Sequence, residues 1–355
     1  MLLSDLDYSY PPDLVATEPA RPTRVGFFRS GQAAEELDLG ALIARFRPGD
    51  LLVINNSRVI PARVFSLAGD EILFLRALSP LHWEVLFPAR RYKLHDPIEL
   101  PDDVQAHVQQ KGLPQQLILS RPLDCAYFET HGEMALPPYI QERRNERHSR
   151  AHDREWYQSV WACVNGSVAA PTASLHFQPS HLEQLSARGV GVVPVTLHVG
   201  AGTFLPIRQE RLDQHEMHAE RVFVPALTRE RIDQTKRHGG HIWALGTTVT
   251  RSLESLAQGL LTPTAEGYTA ETKLFIRPPF KFQLVDVLMT NFHQPRSTLL
   301  SLVAAFAGLE SVKAGYTWAI ERQFKLFSYG DLSVWMPRSV NSRCNRPKVR
   351  PAPPA

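Results

Sequence analysis

The stretch from Val168 to Phe204, VAAPTASLHFQPSHLEQLSARGVGVVPVTLHVGAGTF, decides the fold of this chain. Within it, two segments that each combine a His with small and hydroxyl residues flank a helical pattern at 179–189, for which we expect Ser180 as the N-cap and Gly189 as the terminating residue. Residues 190–199 are β-branched and nearly free of charge, which predicts a buried strand. Because ligands of open α/β sheets bind beyond the carboxyl ends of the strands, we expect the functional site after this strand.

The composition favours a folded protein without a disulfide framework. The chain has 355 residues, of which 43% are hydrophobic, so it can bury a large core. Its three cysteines form no CxxC pair, which favours a reducing compartment. We find no apolar region typical of a signal peptide and no run near the ~18 apolar residues of a membrane span. The expectation is a soluble cytoplasmic protein with no membrane partner.

The charge of the chain is unevenly distributed. Residues 338–355 hold five basic side chains and no acidic one, which predicts a disordered basic tail. Residues 1–337 therefore contain 34 of the 39 basic side chains and all 36 acidic ones, so their formal charge is −2, compared with +3 for the whole chain. Any nucleic-acid contact therefore has to be a local patch. The segment at 141–154 contains Arg143, Arg144 and Arg147 and is either such a patch or a solvated charged loop.

The order of the predicted elements indicates an α/β fold with a large mixed or largely parallel sheet and an inserted small β-barrel domain. Residues 67–140 contain short runs separated by Pro, Gly and Asp, which predict strands of a barrel or sandwich: EILFLRAL, HWEVLFPA, VQAHV, QLILS and CAYFE. In the later part of the chain, strands alternate with helices, as in the strand LVDVLMTNFH and the helix STLLSLVAAFA. We therefore assign residues 1–66 and 141–337 to one discontinuous α/β domain.

Three predicted strands end in polar or small residues. These are Thr196, His198, Gly200 and Gly202 after the first, Thr247, Thr248 and Arg251 after the second, and Thr290, Asn291 and His293 after the third. Parallel strands would bring these ends to one edge of the sheet, forming a cleft rich in hydroxyls and imidazoles. A strand that leads directly into a helix also presents free backbone N–H groups to an anion or a ribose. Alternatively, Thr248 caps its helix and Asn291 holds a turn.

Common motifs of other enzyme classes are absent from the sequence. GAGTFL lacks the third glycine of a dinucleotide fingerprint, and neither a P-loop nor a GxSxG motif is present. His215 and His218, in DQHEMHAE, have the spacing of metal ligands, and His176, His198 or His293 could supply a third. A metal-dependent hydrolase therefore stays open as an alternative, although we assign no metal.

With these residues in hand, the sequence resembles the S-adenosylmethionine:tRNA ribosyltransferase-isomerase family. The resemblance runs from residue 48 to 331 in the family's order and rests on PGDLLVINNSRVIPAR, LPPYI, GSVAAPTASLHF, VTLHVGAGTFLPIR, DQHEMHAE, GTTVTRSLES, VDVLMTNFHQPRSTLLSLVAAFAG and FSYGD. Four places depart from the family's usual pattern. Ser174 stands where the family usually has Gly, and Arg277-Pro278-Pro279-Phe280 replaces a YPGF-like turn. Gln294 replaces Leu in TNFHLP, and Arg24-Val25-Gly26-Phe27 follows the usual SRLL only loosely.

The resemblance implies an α/β domain with an inserted β-barrel and an enzyme that consumes S-adenosylmethionine as a co-substrate, without a further cofactor. The ribosyl group would be transferred to 7-aminomethyl-7-deazaguanine at the tRNA wobble position and isomerised to epoxyqueuosine, with release of adenine and methionine. We expect a monomer. The alternative from another class is a non-catalytic RNA-binding protein of the same fold.

We assign candidate roles to the residues within the matching motifs. The general acid or base is expected among His176, His198, His215, His218 and His293. Substrate contacts are expected from Thr172, Ser174, Thr196, Gly200, Gly202, Thr203, Thr247, Thr248 and Asn291, with Arg251 holding the methionine carboxylate. Arg143, Arg144 and Arg147 are the tRNA-binding candidates. If the acceptor's own aminomethyl group is the base, the histidines only position the substrates.

Overall fold

The computed structural model describes residues 1–337 except 201, 203–206 and 208. The strands are β1 (Arg24–Arg29), β2 (Glu35–Asp38), β3 (Leu51–Asn55), β4 (Ser57–Val59), β5 (Arg63–Phe65), β6 (Glu71–Ser79), β7 (His82–Leu86), β8 (Pro97–Leu100), β9 (Val104–Gln110), β10 (Gln115–Leu119), β11 (Gly132–Glu133), β12 (Val164–Ser167), β13 (Gly191–Leu197), β14 (Glu220–Pro225), β15 (Ile242–Leu245), β16 (Thr262–Pro263), β17 (Gly267–Thr272), β18 (Val287–Asn291) and β19 (Leu332–Met336). The α-helices are α1 (Leu39–Arg45), α2 (Cys125–His131), α3 (Pro138–Arg144), α4 (Asp153–Trp156), α5 (Pro179–Ala187), α6 (Ala226–Arg237), α7 (Thr247–Ala257), α8 (Thr298–Ala307) and α9 (Leu309–Glu321). A 3₁₀ helix spans Thr172–His176.

The largest sheet has ten strands in the order β16-β17-β14-β13-β3-β15-β18-β19-β1-β2. Its centre, β13-β3-β15-β18, is parallel throughout. The flanking strands β14, β17 and β16 run antiparallel on one side, and β19 pairs antiparallel to β18 on the other. The predicted mixed α/β fold with a parallel centre is therefore confirmed.

The side chains of the central strands alternate between two cores. In β3, Leu51 and Val53 enter one core and Leu52 and Ile54 the other, as the period of two along a strand requires. The first core is closed by α6, α7, α8 and α9, and the second by α1 and α5. The central sheet is thus covered by helices on both faces, which explains why its strands are almost uncharged.

The region 67–140, predicted as a β-barrel, contains six strands of a seven-stranded antiparallel sheet with its own hydrophobic core, and the seventh, β5, precedes the predicted boundary. Its order, β11-β5-β6-β7-β10-β9-β8, is open at both ends, so a closed barrel is not confirmed. The segment CAYFE, which we predicted as a strand, belongs to helix α2. The Asp124 side chain caps this helix by accepting a hydrogen bond from the Tyr127 N–H at 2.8 Å, which favours the helix over a strand.

The helix boundaries differ in detail from those predicted. Helix α5 begins at Pro179, so Gln178 and not Ser180 is the N-cap, because Pro is well suited to the first helical position. Gly189 follows the helix with a φ of +75°, a conformation that favours glycine, as expected. Helix α7 begins at Thr247 after Gly246, so Thr248 is not the cap.

The remaining expectations concern the membrane and the tail. Within the described residues, no single helix has the length and apolar character to cross a membrane, and only the bent pair α8 and α9, at 111° to each other, passes on length and composition. The predicted tail at 338–355 lies outside the described residues.

Candidate active site

The carboxyl ends of β13, β3, β15 and β18 lie at one edge of the central sheet, because these neighbouring strands are parallel. This confirms that the three polar strand ends predicted from the sequence share an edge. The edge contains a cleft and two hydrogen-bonded clusters around buried histidines.

Asn55, at the end of β3, holds the middle of this edge together. Its amide N–H donates to the Leu197 carbonyl at 3.0 Å and to the Thr248 hydroxyl at 3.3 Å. Its carbonyl oxygen accepts from the Leu197 and Ser57 N–H groups, both at 3.1 Å. The neighbouring Asn56 accepts a hydrogen bond from the Thr196 hydroxyl at 2.6 Å. One buried amide thus ties β3 to β13 and to the first turn of α7.

The first histidine cluster joins the 3₁₀ helix to the end of β18. The Asn291 amide donates to His176 Nε2 at 3.2 Å, and its carbonyl accepts from the Thr172 hydroxyl at 2.9 Å. The other ring nitrogen, Nδ1, therefore carries the proton and faces the Thr23 hydroxyl at 3.2 Å. Burial and the nearby Arg21 lower the pKa of His176 to about 4, so the ring is neutral at pH 7.

The second cluster surrounds His293, whose Nε2 lies 2.8 Å from the Thr290 hydroxyl. Its backbone N–H donates to the Tyr316 hydroxyl at 2.8 Å, and its carbonyl accepts from the Tyr8 hydroxyl at 2.5 Å. Burial lowers the pKa of His293 to about 3. A ring that stays neutral and is enclosed by aromatic residues is suited to a positioning role.

A cleft of about 450 Å³ lies between the end of β13 and the antiparallel sheet. Its lining includes His198, Gly200 and His218 from the predicted site, together with Trp83 from β7 and Gly166 from β12. Within the described part of the chain, the threonines of α7 and the polar residues after β18 are not part of this lining. Only one of the three strand ends therefore faces the cleft, because the other two are engaged in hydrogen bonds inside the protein.

His198 is the histidine with the strongest case for chemistry in the cleft. Its ring packs against Gly166, where an added Cβ would lie 3.1 Å from Nδ1 and Cε1, too close for a larger residue without movement. Nδ1 is buried and has no hydrogen-bond partner among the described residues. Burial, with a smaller effect of Arg221, lowers the pKa of His198, so the ring is neutral at pH 7 and can accept a proton.

Gly200 lines the cleft, and Gly202 lies beside His218, another residue of the lining. An added Cβ at Gly200 would lie 3.8 Å from the nearest atom, on Glu220, and one at Gly202 would lie 3.6 Å from His218. These are ordinary contact distances, so packing does not demand glycine at either position. The absence of side chains instead leaves room for a ligand to approach the backbone. Thr203, also predicted to contact substrate, lies outside the described residues.

Arg251 does not lie free in the cleft, because it forms a buried ion pair with Glu220. The second carboxylate oxygen of Glu220 accepts from the Gly200 N–H at 3.1 Å. The Arg251 Nε donates to the Leu274 carbonyl at 3.1 Å, and its Nη2 is buried without a partner among the described residues. Glu220, which lines the cleft, was missed in the sequence analysis although it closes the DQHEMHAE motif, because its partner lies on a distant helix.

His215 and His218 do not form part of a metal site in the described part of the chain, where no group of three or more His, Cys, Asp or Glu residues is arranged around a common point. His215 Nδ1 lies 3.3 Å from the Gln209 side-chain oxygen, and its ring packs edge-on against Phe275. Burial and the neighbouring His218 lower the pKa of His215. His218 contributes to the cleft lining, whereas His215 is part-buried beside it.

The predicted tRNA-binding arginines are engaged within the protein. Arg144 is buried and forms two hydrogen bonds with Asp153, at 2.7 and 2.9 Å. Arg143 pairs with the exposed Asp13 at 3.0 Å. Arg147 donates to the Gly69 carbonyl at 2.9 Å and remains half exposed. Arg144 is therefore not available to a phosphate in this structure, whereas the other two guanidinium groups retain exposed surface.

Ser174 lies in the 3₁₀ helix beside the first histidine cluster, fully buried. Its hydroxyl has no hydrogen-bond partner among the described residues. Ser174 is not part of the cleft lining in the described part of the chain. Its hydroxyl is thus a buried polar group without a hydrogen bond among the described residues, in the 3₁₀ helix that also carries His176.

Comparison with known proteins gives one consistent result. A family model described as "Queuosine biosynthesis protein" matches residues 3–334. A protein of Acidiphilium cryptum named S-adenosylmethionine:tRNA ribosyltransferase-isomerase is 43% identical over 351 residues, covering 94% of this chain and 99% of that protein. A protein of Geobacter sulfurreducens with the same name is also 43% identical, covering 93% and 98%. The crystal structure of an S-adenosylmethionine tRNA ribosyltransferase from Thermotoga maritima is similar at a TM-score of 0.54 and 33% identity, covering 94% of this chain and 100% of that chain.

Proposed function

The chain belongs to the queuosine biosynthesis protein family, and we propose that it is an S-adenosylmethionine:tRNA ribosyltransferase-isomerase. It transfers the ribosyl group of S-adenosylmethionine to 7-aminomethyl-7-deazaguanine at the wobble position of tRNA. The ribosyl group is isomerised, giving epoxyqueuosine and releasing adenine and methionine. The observation that carries this proposal is the match to relatives of that name, which extends along nearly the full length of both chains.

The reaction requires removal of a proton from the carbon next to the sulfonium and protonation of the departing adenine. We assign the first task to His198, since its ring lines the cleft and burial lowers its pKa, which favours the neutral form that can accept a proton. His218, in the same lining, is the second candidate for proton transfer. His176 and His293, with pKa values of about 4 and 3, remain neutral and hydrogen-bonded, so they act as positioning residues. His215 supports His218 from beside the cleft.

The substrate-binding roles follow from position. Gly200 and Gly202 allow the donor to approach the backbone, and Thr196 acts through Asn56 at the end of β3. Thr172 and Asn291 hold the first histidine cluster, with Ser174 packed beside it. Thr247 and Thr248 lie in the first turn of α7, outside the cleft lining, so a contact with an anionic or ribose oxygen would come from the backbone N–H groups of that turn.

Binding of the methionine carboxylate by Arg251 requires a specific arrangement. Its Nη1 is engaged by Glu220, whereas Nη2 is buried and unpaired among the described residues. A carboxylate that reaches Nη2 would satisfy this donor and gain a charge-assisted hydrogen bond. The arrangement therefore favours binding through the second nitrogen, with Glu220 kept in place.

For tRNA, we propose contacts from exposed cations near the cleft. Arg221 and Lys273 belong to its lining and can approach the phosphates that flank the reacting nucleotide. Arg143 and Arg147 keep enough exposed surface to join them. We further propose that the enzyme works as a cytoplasmic monomer. We also propose that residues 67–140, which contain most of the antiparallel sheet, form a separate domain with its own hydrophobic core.

The test is incubation with S-adenosylmethionine and an anticodon stem-loop that carries 7-aminomethyl-7-deazaguanine, followed by RNA mass analysis and detection of adenine. A mass gain of one ribosyl-derived unit with stoichiometric adenine release is expected. RNA binding without an adduct would instead indicate the non-catalytic alternative.

The His198→Gln variant should lower kcat by at least about 100-fold, the range for a lost general base. The matched control is His238→Gln, on the exposed end of α6, which should retain full turnover. Equal turnover in both variants would remove His198 from the mechanism.

A further inference from the structure

A second cavity, of about 400 Å³, lies at the opposite edge of the central sheet from the cleft. Asp50 and His241 immediately precede β3 and β15, whereas Arg29 and Met336 end β1 and β19. All four residues belong to its lining. The cavity therefore lies at the amino ends of β3 and β15, and the cleft lies at the carboxyl edge of the same sheet. The two are separated by the length of a central strand, which rises about 3.3 Å per residue.

The cavity concentrates positive charge. Its lining contains the four arginines Arg29, Arg45, Arg47 and Arg188, together with a single acidic residue, Asp50. Glu35, outside the lining, pairs with Arg45, so four guanidinium groups against two carboxylates leave two positive charges, although residues 1–337 as a whole carry a net negative charge. The rest of the lining includes Phe27, Phe46 and Trp243, so the floor is apolar and the rim cationic.

Asp50 does not neutralise these arginines. Its carboxylate accepts hydrogen bonds from the backbone N–H groups of Arg47 and His241, at 3.0 and 2.8 Å, and from the Trp243 indole at 3.0 Å. None of these donors is a guanidinium group. The carboxylate is buried, which raises its pKa, but the interaction with the His241 side chain together with these three hydrogen bonds outweighs burial and holds the pKa below its usual value.

Two of the four guanidinium groups are available to a ligand. Arg45 forms an exposed ion pair with Glu35 at 2.6 Å, and Arg188 donates to the Ala44 carbonyl at 3.1 Å. The side chains of Arg29 and Arg47 make neither a hydrogen bond nor an ion pair with any described residue. Both side chains are exposed at the cavity.

We propose that this cavity, which we name the arginine pocket, binds a phosphate group of a nucleotide or a polynucleotide through Arg29 and Arg47. The planar guanidinium fork matches phosphate oxygens with two parallel hydrogen bonds. The excess of two positive charges, carried by the unpaired Arg29 and Arg47, favours a multiply charged phosphate over a single carboxylate. The volume lies within the range of about 300–1,000 Å³ that is typical of ligand pockets. The inference stands apart from the proposed transfer reaction, since none of these residues lines the cleft.

The experiment compares the double variant Arg29→Glu/Arg47→Glu with the matched control Arg231→Glu/Arg237→Glu. The control changes the net charge by the same amount on the exposed face of α6, outside both cavities. Calorimetric titration with pyrophosphate and with ADP tests free phosphates. Fluorescence anisotropy with an unmodified anticodon stem-loop, at several salt concentrations, tests an RNA backbone.

The pocket double variant, unlike the control, should bind one of these probes at least tenfold more weakly than the unsubstituted protein. Loss of stem-loop affinity, with a salt slope lower by about 0.7 to 0.9 per lost phosphate contact, would identify the RNA backbone as the ligand. Loss confined to pyrophosphate and ADP would identify a free phosphate compound. If both double variants bind all probes equally, the proposal is wrong. Adenine release at saturating stem-loop should be unchanged in both, which tests the transfer reaction separately.

Discussion

His293 provides a direct test of how burial controls protonation at the carboxyl edge of the sheet. Burial lowers its pKa in the folded protein from 6.5 to about 3, so the unfolded chain binds a proton at pH 5 and the folded protein does not. Stability is therefore lost as the pH falls below about 6.5. For this one group the loss between pH 7.5 and pH 5 is about 2 kcal/mol.

The perturbation is His293→Gln, which removes the titrating ring and retains an amide that can hydrogen-bond to Thr290. The assay is urea unfolding followed by tryptophan fluorescence at several pH values between 5 and 7.5. The original protein should lose about 2 kcal/mol more than the variant over this range. His176 titrates in both proteins, so its contribution cancels in the difference. If the two proteins lose stability in parallel, burial does not keep His293 neutral.

Three further substitutions test the buried polar groups by the same urea assay at pH 7.5. Glu220→Gln leaves Arg251 buried without its counter-charge and should lower the free energy of unfolding by about 3–5 kcal/mol, so a loss below about 1 kcal/mol would contradict the assigned pair. Ser174→Ala removes a buried, unpaired hydroxyl and should leave stability unchanged or raise it by about 1 kcal/mol, whereas a clear loss would reveal a hidden partner. Asn55→Ala removes four side-chain hydrogen bonds and should lower the free energy of unfolding by about 2–4 kcal/mol. The control Asn56→Ala removes one side-chain hydrogen bond and should lower it less. Equal losses in the two variants would refute the central role of Asn55.

Elements with strong local signals could be predicted from the sequence. Helix α8 coincides with the apolar run TLLSLVAAFA. The Ser297 side chain caps it by accepting a hydrogen bond from the Leu300 N–H at 3.1 Å, as a serine directly before such a run indicates. The parallel centre of the sheet followed from the alternation of strands and helices. The position of β3 between β13 and β15 could not be predicted, because strand order depends on pairings that leave no local pattern.

Individual residues of the candidate site could be predicted from the sequence, but which of them share the cleft could not. The motif VTLHVGAGTF led to His198 and Gly200, which the structure places in one cleft. The division of the histidines between that cleft and two internal clusters depends on burial, which the motifs do not encode. The same holds for Arg144, whose partner Asp153 makes a basic side chain part of the interior.

The place of β3 also has a consequence during synthesis on the ribosome. Its two neighbours in the sheet, β13 and β15, begin at Gly191 and Ile242, so Leu51 first meets a partner 140 residues later in the chain. At a translation rate of about 5–20 residues per second, this strand waits roughly 7 to 28 seconds for its first neighbour. During that interval both of its edges are unpaired and its apolar side chains have no sheet to enter. The nascent chain therefore exposes LLVIN, which is fully buried in the finished protein, until β13 has been synthesised.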